Sequence, residues 1–562
     1  MIKKIIECVP NFSEGKDLTV VEKISSEIKG VDGVKLLSVE PGKDTNRTVV
    51  TFVGNPDQVI EAAFLAIKKA AELIDMSKHH GEHPRMGATD VCPLIPVSGI
   101  SMKETIKYSK ILAEKVGKEL NIPVYLYENS AKNKERKNLA NIRSGEYEEL
   151  ENKLKDPNWK PDFGTNSFEF AQKTGATAIG ARDFLIAYNI NLNTTSTRRA
   201  NAIAFDVREK GRIARKGGKL TGKILKDKNN NPIWKPGSLK NVKAIGWFIE
   251  EYGVAQISMN LTNIKKTPIH IVFDEVCKSA QKRGIRVTGS ELIGLIPLKS
   301  MIEAGKYFLK KQKRSCGISE KEIIKIAIKS MGLDELEKFH PQEKIIEYSI
   351  KEKNKKLCDL DLTQFAQTTA SESPAPGGGS ISAYIGALGG ALATMVANLS
   401  SHKRGWDQKW NFFSKIAEEG QGYINNLLEL VDKDTEAFNR IISSFRLPDG
   451  NKEEKEQKKQ TILDATINAI KIPLKIMEES EKSMRIIKMM AKEGNPNSVS
   501  DAGVAALCAR SAVIGGYLNV KINCKELNDK KLALKFINQA EKIKKSAEKK
   551  EAEIISITLK KI

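Results

Sequence analysis

Along the first third of the chain the apolar positions switch repeatedly between two periods. Lys3 to Val9, Val34 to Val39 and Thr48 to Val53 are short runs that read as strands, and Leu18 to Ile28 and Gln58 to Leu73 carry apolar residues at helical spacing. Val91 to Val97 is strand-like again, followed by a helix over Lys103 to Leu120 and a strand over Pro123 to Tyr127. This β-α-β-β-α-β succession predicts an α+β layer of ferredoxin-like order with helices on one sheet face. A second α/β unit is expected from about Gly180 to Ser349, interrupted by a Gly/Lys/Asn-rich surface excursion from Lys216 to Gly237. KEKNKK, Lys351 to Lys356, has no apolar anchor and reads as a linker at which the chain could be cut into two soluble, active pieces. Beyond it the pattern changes to long helical segments, as in Leu427 to Phe445, Lys455 to Glu479 and Lys530 to Glu553, which predict an all-α bundle. The expected multidomain division is 1–182 and 183–349 for two α/β subdomains, 350–357 for the linker and 358–562 for the helical domain.

Ser373 to Ser401 carries no charge, which raises the question of a membrane span. Prolines at its start and a preponderance of Gly, Ala and Ser favour a buried bundle helix instead, so no membrane partner is expected. The 562 residues exceed what one core normally serves. A net charge of +22 invites a nucleic-acid reading, but lysine is scattered among abundant Glu and Asp and aromatics are only 6%. No nucleic-acid partner is expected; some of the excess could attract an acidic small molecule. Seven widely spaced cysteines argue for a reducing compartment, and MIKKIIECVPNFSEG contains no signal-type apolar stretch, so the expected location is the cytoplasm.

Three of the six histidines, His79, His80 and His83, fall in the loop-like segment HHGEHPRMGATDVCP. His79, Glu82 and His83 satisfy an H-x-x-E-H spacing, which on a helix would offer two imidazoles to zinc. Gly81 inside the spacing and Pro84 directly after it break that helix, so no metal is expected. The polar company of Glu82 and Arg85 in a Gly/Pro loop points to chemistry rather than to a packed core histidine.

The run EHPRMGATDVCP, with ECVPNFSEG (Glu7 to Gly15) and TNRTVVTFVG (Thr45 to Gly54), resembles the formiminotransferase family. PDFG (Pro161 to Gly164), IGARDFLIAYNINL (Ile179 to Leu192) and GSELIGLIPL (Gly289 to Leu298) resemble its second half. After Lys356, APGGGS (Ala375 to Ser380), VDKDTEAF (Val431 to Phe438) and Ser500 to Asn523 are similar to the formiminotetrahydrofolate cyclodeaminase family. Their order is that of the bifunctional formiminotransferase-cyclodeaminases. The resemblance implies transfer of a formimino group from formiminoglutamate to tetrahydrofolate. Ring closure to 5,10-methenyltetrahydrofolate with loss of ammonia would follow. Tetrahydrofolate, in its polyglutamylated form, would be a cosubstrate, and a homo-oligomer is expected.

In the matching contexts the resemblance puts the transferase's catalytic histidine at His83 and the cyclodeaminase's catalytic carboxylate at Asp434. The stretch Gly164, Thr165, Asn166, Ser167, Phe168, Glu169, Phe170, Ala171, Gln172 and Lys173 falls where the family binds folate, although it diverges beyond PDFG. Arg47 and Arg85 are candidates for gripping substrate carboxylates, or for structural ion pairs with Glu82 or Asp90. Glu40 stands where the family has an aspartate, which leaves its role open. Asp432 and Asp434, two apart on a helix, point to different faces. Gly377, Gly378 and Gly379 lack a P-loop's lysine and spacing, so a tight helix entry beside the folate site is expected; Gly378, Gly379, Ser380 and Asp501 are possible substrate contacts. Asn519 and Asn523 could line a pocket or bond between helices. Alternatives are a transferase fused to a methenyltetrahydrofolate cyclohydrolase, and a non-catalytic basic nucleic-acid or scaffold protein.

Overall fold

The computed structural model describes residues 4–43, 46–81, 84–218, 222–350, 356–373 and 375–562. The chain forms two compact units, Met1–Met301 with Met331–Lys351, and Ile302–Ser330 with Glu352–Ile562.

In the first unit the alternating runs become β1 (Ile5–Cys8), β2 (Asn11–Phe12), β3 (Val34–Gly42), β4 (Arg47–Gly54), β5 (Thr89–Ser98), β6 (Val124–Leu126) and β7 (Thr177–Ala181). They form one mixed sheet, ordered β1-β4-β2-β5-β7-β6, with β3 beside β4. Helices α1 (Leu18–Lys29), α2 (Pro56–Leu73) and α3 (Met102–Leu120) begin where a side chain can satisfy free backbone N–H groups. Asp17 and Asn55 cap α1 and α2, and Ser101 with Glu104 forms a capping box on α3. Their apolar stripes pack on Cys8, Phe52, Leu94, Val124 and Ile179.

The alternate residues Val91, Tyr125, Tyr127 and Ala178 point the other way, into a second core. Helices on one face alone is therefore an incomplete picture. The short helices α4 (Leu139–Ile142), α5 (Leu150–Lys155) and α6 (Phe168–Ala171) supply Ile142, Leu150, Leu154 and Ala171 to that second core. Helices of four to six residues show too little periodicity to be read from sequence. The β3–β4 part of the same face keeps Val49 and Thr51 half-buried and Glu40 exposed.

The second sheet is built from β8 (Ile186–Leu192), α7 (Thr197–Val207), β11 (Val242–Ile249), β12 (Val254–Leu261), α8 (Ile269–Gln281) and β13 (Val287–Ile293), with antiparallel order β11-β12-β8-β13. The Gly/Lys/Asn-rich excursion contains a small ribbon, β9 (Arg212–Ile213) paired with β10 (Trp234–Lys235). Helices α9 (Leu298–Lys311), α10 (Glu320–Met331), α11 (Pro341–Lys344) and α12 (Ile346–Ser349) follow.

The helical unit comprises α13 (Leu362–Thr369), α14 (Gly378–Ser401), α15 (Trp410–Phe445), α16 (Lys452–Glu493), α17 (Val499–Lys525) and α18 (Lys530–Leu559). It also takes in Ile302–Ser330, which the sequence pattern assigned to the preceding α/β subdomain. Cys316 donates its backbone N–H to Ser414 Oγ at 3.0 Å, the Asn398 amide donates to Gly317 O at 2.8 Å, and Lys306 pairs with Glu418 at 2.8 Å. Periodicity marks that a helix has a face to bury; it does not say against what. By length and composition α14 and the segment Pro496–Lys525 could each cross a membrane. In this structure α14's small residues are used within the bundle: Gly386 lies against Ala512 and Leu427, and Gly389 against Ala505 and Ala509. The descending order of these contacts makes α17 antiparallel to α14.

Candidate active sites

The histidine loop is tied down on both sides. Met76 donates its backbone N–H to Lys173 O at 2.9 Å, Ala88 to Thr174 O at 2.7 Å, and Tyr147 its hydroxyl to Gln172 O at 2.6 Å. The structure thereby joins the loop to the end of the Gly164–Lys173 stretch, ninety residues away in sequence. Within that stretch Gly164 needs its left-handed backbone (φ 80°), and any side chain there would strike the Ile122 carbonyl. Thr165 Oγ1 accepts from Ser167 N–H at 3.0 Å, and the Phe168 ring meets Tyr147 at 6.0 Å. Asn166 is exposed, as are Glu169 and Phe170, whereas Ala171 is buried.

His79 is buried with both ring nitrogens engaged. Nε2 lies 2.9 Å from Asn46 O, and Nδ1 accepts from Arg85 Nε at 3.3 Å. Because a carbonyl can only accept, the proton sits on Nε2. Burial holds the imidazole's pKa below its ordinary value and the nearby Arg85 reinforces this, so His79 is a neutral, oriented group. Arg85 is fully occupied in the loop: its guanidinium donates to both Glu148 oxygens (2.8 and 2.6 Å) and to Glu146 at 3.1 Å. Among the described residues its ion-pair partners are Glu146 and Glu148, and Asp90 is not one of them. His80 is exposed and contributes its carbonyl, which accepts from the Asn46 amide at 2.9 Å. Glu82 and His83 lie outside the described residues.

Asp90 instead pairs with Arg143 and accepts from Met86 N–H at 3.1 Å. It is aimed by a bulge: one step along β2, Asn11 to Phe12, spans two along β5, Val91 to Thr89. Arg47 stands beside this pair with its Nε buried and without a hydrogen-bond partner among the described residues. Burial lowers its pKa, Asp90 opposes the change, and Arg143 adds to it. Such a half-desolvated guanidinium can receive an anion at small further cost. Glu40 pairs across β3–β4 with Val49, so it shares Arg47's sheet face. Further along the same sheet Glu7 is 5% exposed, and burial pushes its carboxyl up to about 7 against the opposing field of Arg182. Sequence reading missed Asp90–Arg143 and Glu7. Their chemistry comes from a bulge and from burial, neither of which leaves a spacing signature.

In the helical unit the glycine run opens α14 around a carboxylate of the chain itself. Asp434 on α15 accepts from the Ser380 hydroxyl at 3.1 Å and from the Ser380 backbone N–H. The single Ser380 hydroxyl proton is shared with Val431 O at 2.9 Å, and Oγ lies 3.3 Å from Thr435 Oγ1. A Cβ at Gly379 would lie 2.5 Å from Asp434 Cγ and Oδ2, and closer still to Oδ1. Only glycine permits this approach. Burial raises the Asp434 pKa above its ordinary value, and the two Ser380 hydrogen bonds hold it back. Asn519 borders the same helix entry, its Nδ2 3.3 Å from where a Gly378 Cβ would be, and donates to Gly515 O at 2.9 Å.

The other polar groups are placed elsewhere. Asp432 accepts from Leu357 N–H at 2.8 Å and anchors the start of the helical segment. Asn523 bonds between helices, to Ala469 O at 2.8 Å. Asp501 lies in the first turn of α17, about 27 Å along that helix from Asn519 at 1.5 Å rise per residue, so within one chain it is remote from Asp434. Among the described residues no group of three or more His, Cys, Asp and Glu side chains is arranged to hold a metal ion.

Two sheet-bearing regions followed by a helical bundle, with one polar centre in the first sheet and another at a bundle-helix entry, define a two-part chain with a polar centre in each part. Family models agree: the N-terminal subdomain of the formiminotransferase domain matches residues 5–182, the formiminotransferase domain 187–351 and formiminotransferase-cyclodeaminase 361–542. Over 560 residues the chain is 39% identical to the formimidoyltransferase-cyclodeaminase of Gallus gallus, covering 99% of each. It is 40% identical over 306 residues to the glutamate formimidoyltransferase of Streptococcus pyogenes serotype M1, 54% of this chain and 93% of that relative. It is 32% identical over 180 residues to the methenyltetrahydrofolate cyclohydrolase of Methylorubrum extorquens, 32% of this chain and 86% of that one. The chain belongs to the formiminotransferase-cyclodeaminase family.

Proposed function

We propose that this chain transfers the formimino group of N-formimino-L-glutamate to tetrahydrofolate in its first unit. In its helical unit it then closes 5-formiminotetrahydrofolate to 5,10-methenyltetrahydrofolate with release of ammonia. Similarity of 39–40% identity over 94–99% of the chain to formimidoyltransferase-cyclodeaminases carries this reading; the cyclohydrolase likeness spans only 180 residues. In the transfer step N5 of the folate attacks the amidine carbon and the glutamate nitrogen departs with a proton. His83 is our assignment for moving that proton, with Arg47 receiving a substrate carboxylate and Gly164–Lys173 the folate. Arg85 is better assigned to holding the loop through Glu148 and Glu146.

In the closing step N10 attacks the formimino carbon and ammonia leaves, which again requires a proton shuttle. Asp434 is our assignment because its carboxyl is raised toward protonation and is held by Ser380 beside the helix entry. The strand order of the second sheet, β11-β12-β8-β13, is one we read as ferredoxin-like. We take the folate to be polyglutamylated, the protein to be a cytosolic homo-oligomer, and the chemistry to need no metal.

The test supplies formiminoglutamate and tetrahydrofolate and follows methenyl absorbance and ammonia together. His83→Ala should abolish transfer yet still cyclise supplied 5-formiminotetrahydrofolate, and Asp434→Asn should do the reverse. Methenyl formation without stoichiometric ammonia would reject the cyclodeaminase reading.

A further inference from the structure

The excursion after α7 borders a cavity lined by none of the residues assigned above to either reaction. It has a volume of about 830 Å³ and lies between the β9–β10 ribbon, the end of α7 and the second half of α8. Six cationic side chains line it, Arg208, Arg212, Arg215, Lys235, Lys278 and Lys282, against two carboxylates, Asp206 and Glu275. Both carboxylates are already taken. Asp206 holds Arg212 and Arg283 and accepts from Ser279 Oγ at 2.8 Å, and Glu275 pairs with Lys278 at 2.7 Å.

Four cations remain without a carboxylate among the described residues. Arg208 donates only to neutral carbonyls, Gly211 O at 2.9 Å and Ala244 O at 3.3 Å, and Arg215 to Gly222 O at 3.0 Å. Lys235 and Lys282 form no ion pair there. Like charges gathered around a concave, partly apolar space repel one another, and the arrangement is relieved by an anion. The wall also presents an indole: Trp234 is 38% exposed, with Lys210 over its ring at 4.3 Å.

We propose that this cavity binds a nucleoside di- or triphosphate, as a site distinct from both reaction centres. Charge selects the class, since four unpaired cations match three or four phosphate charges and arginine forks suit phosphate oxygens. Size excludes inorganic phosphate as the intended occupant, because a single phosphate would leave most of the space empty. The exposed Trp234 indole gives a base a surface on which to stack, which a carboxylate chain does not need. This inference is independent of the formimino-transfer reading.

The test titrates the intact chain with ATP and ADP, without divalent cations, by calorimetry and tryptophan fluorescence. Inorganic phosphate and a γ-linked oligoglutamate are the comparison probes. ATP should saturate one site per chain and should not be displaced by tetrahydrofolate. Arg215→Ala and Lys282→Ala should each weaken ATP about tenfold or more while unfolding temperature and both reactions without nucleotide stay unchanged. Trp234→Phe should remove most of the fluorescence change. The proposal is overturned if ATP fails to saturate, if oligoglutamate binds more tightly than ATP, if folate displaces it, or if the Arg215→Ala/Lys282→Ala double variant binds ATP as the parent does.

Discussion

Gly379→Ala isolates the close approach of the helix entry to Asp434, the carboxylate we propose for cyclisation. The new methyl group would need the space of the Asp434 carboxylate, with 2.5 Å to Cγ and Oδ2 where ordinary contacts begin near 3.4 Å. The carboxylate must therefore withdraw by roughly 1 Å, a displacement of a kind that costs about a hundredfold in rate, or about 2.7 kcal/mol of barrier. Withdrawal also strains the two hydrogen bonds from Ser380. Alanine is the better helix former by up to about 1 kcal/mol, so the fold itself should not suffer. The assay supplies 5-formiminotetrahydrofolate directly and measures methenyl appearance, with formiminoglutamate consumption as the control for the other centre. Cyclisation should fall about a hundredfold with transfer unchanged. Ser380→Ala, which removes the hydroxyl shared between Asp434 and Val431 O but leaves the backbone N–H, should cost only about tenfold. A cyclising rate within threefold of the parent, roughly 0.65 kcal/mol, would mean that Asp434 does not work from the position seen here.

Asp432→Asn should leave cyclisation nearly intact and lower stability by about 1 kcal/mol, through its bond to Leu357 N–H; a larger catalytic loss than in Asp434→Asn would reverse the two assignments. Glu7 carries its proton more tightly folded (about 7) than unfolded (4.5), so stability should decline as pH rises between those values. The decline amounts to about 3 kcal/mol, and Glu7→Gln should abolish it and be the more stable protein above pH 7; parallel unfolding curves from pH 4 to 8 would disprove this. Separating the chain at 351–355 should not give two independent pieces, because Ile302–Ser330 packs in the helical unit. Fragments 1–350 and 356–562 should copurify and the first alone should aggregate, whereas a monomeric, stable first fragment would show that this packing is dispensable.

Several features were legible without coordinates. The strands and helices from Lys3 to Tyr127 follow from the period of their apolar residues, a local property that survives into β1, α1, β3, β4, α2, β5, α3 and β6. Caps such as Asp17, Asn55 and Ser101 act within three residues of themselves and are equally readable. The two motif sets, and hence the two activities, stand in the sequence because each is a contiguous run. Tertiary structure decided whatever depends on which distant groups share a space. Arg85 could be a substrate grip or a structural pair until the turn carrying Glu146 and Glu148 closed on it. Asp90 was directed at Arg143 by a one-residue bulge. The glycine run became a seat for Asp434 only when α15 crossed it. Ile302–Ser330 joined the helical unit because a periodic apolar face specifies burial but not its partner. Local energetics are written along the chain; desolvation, charge pairing and close approach exist only between segments that folding brings together.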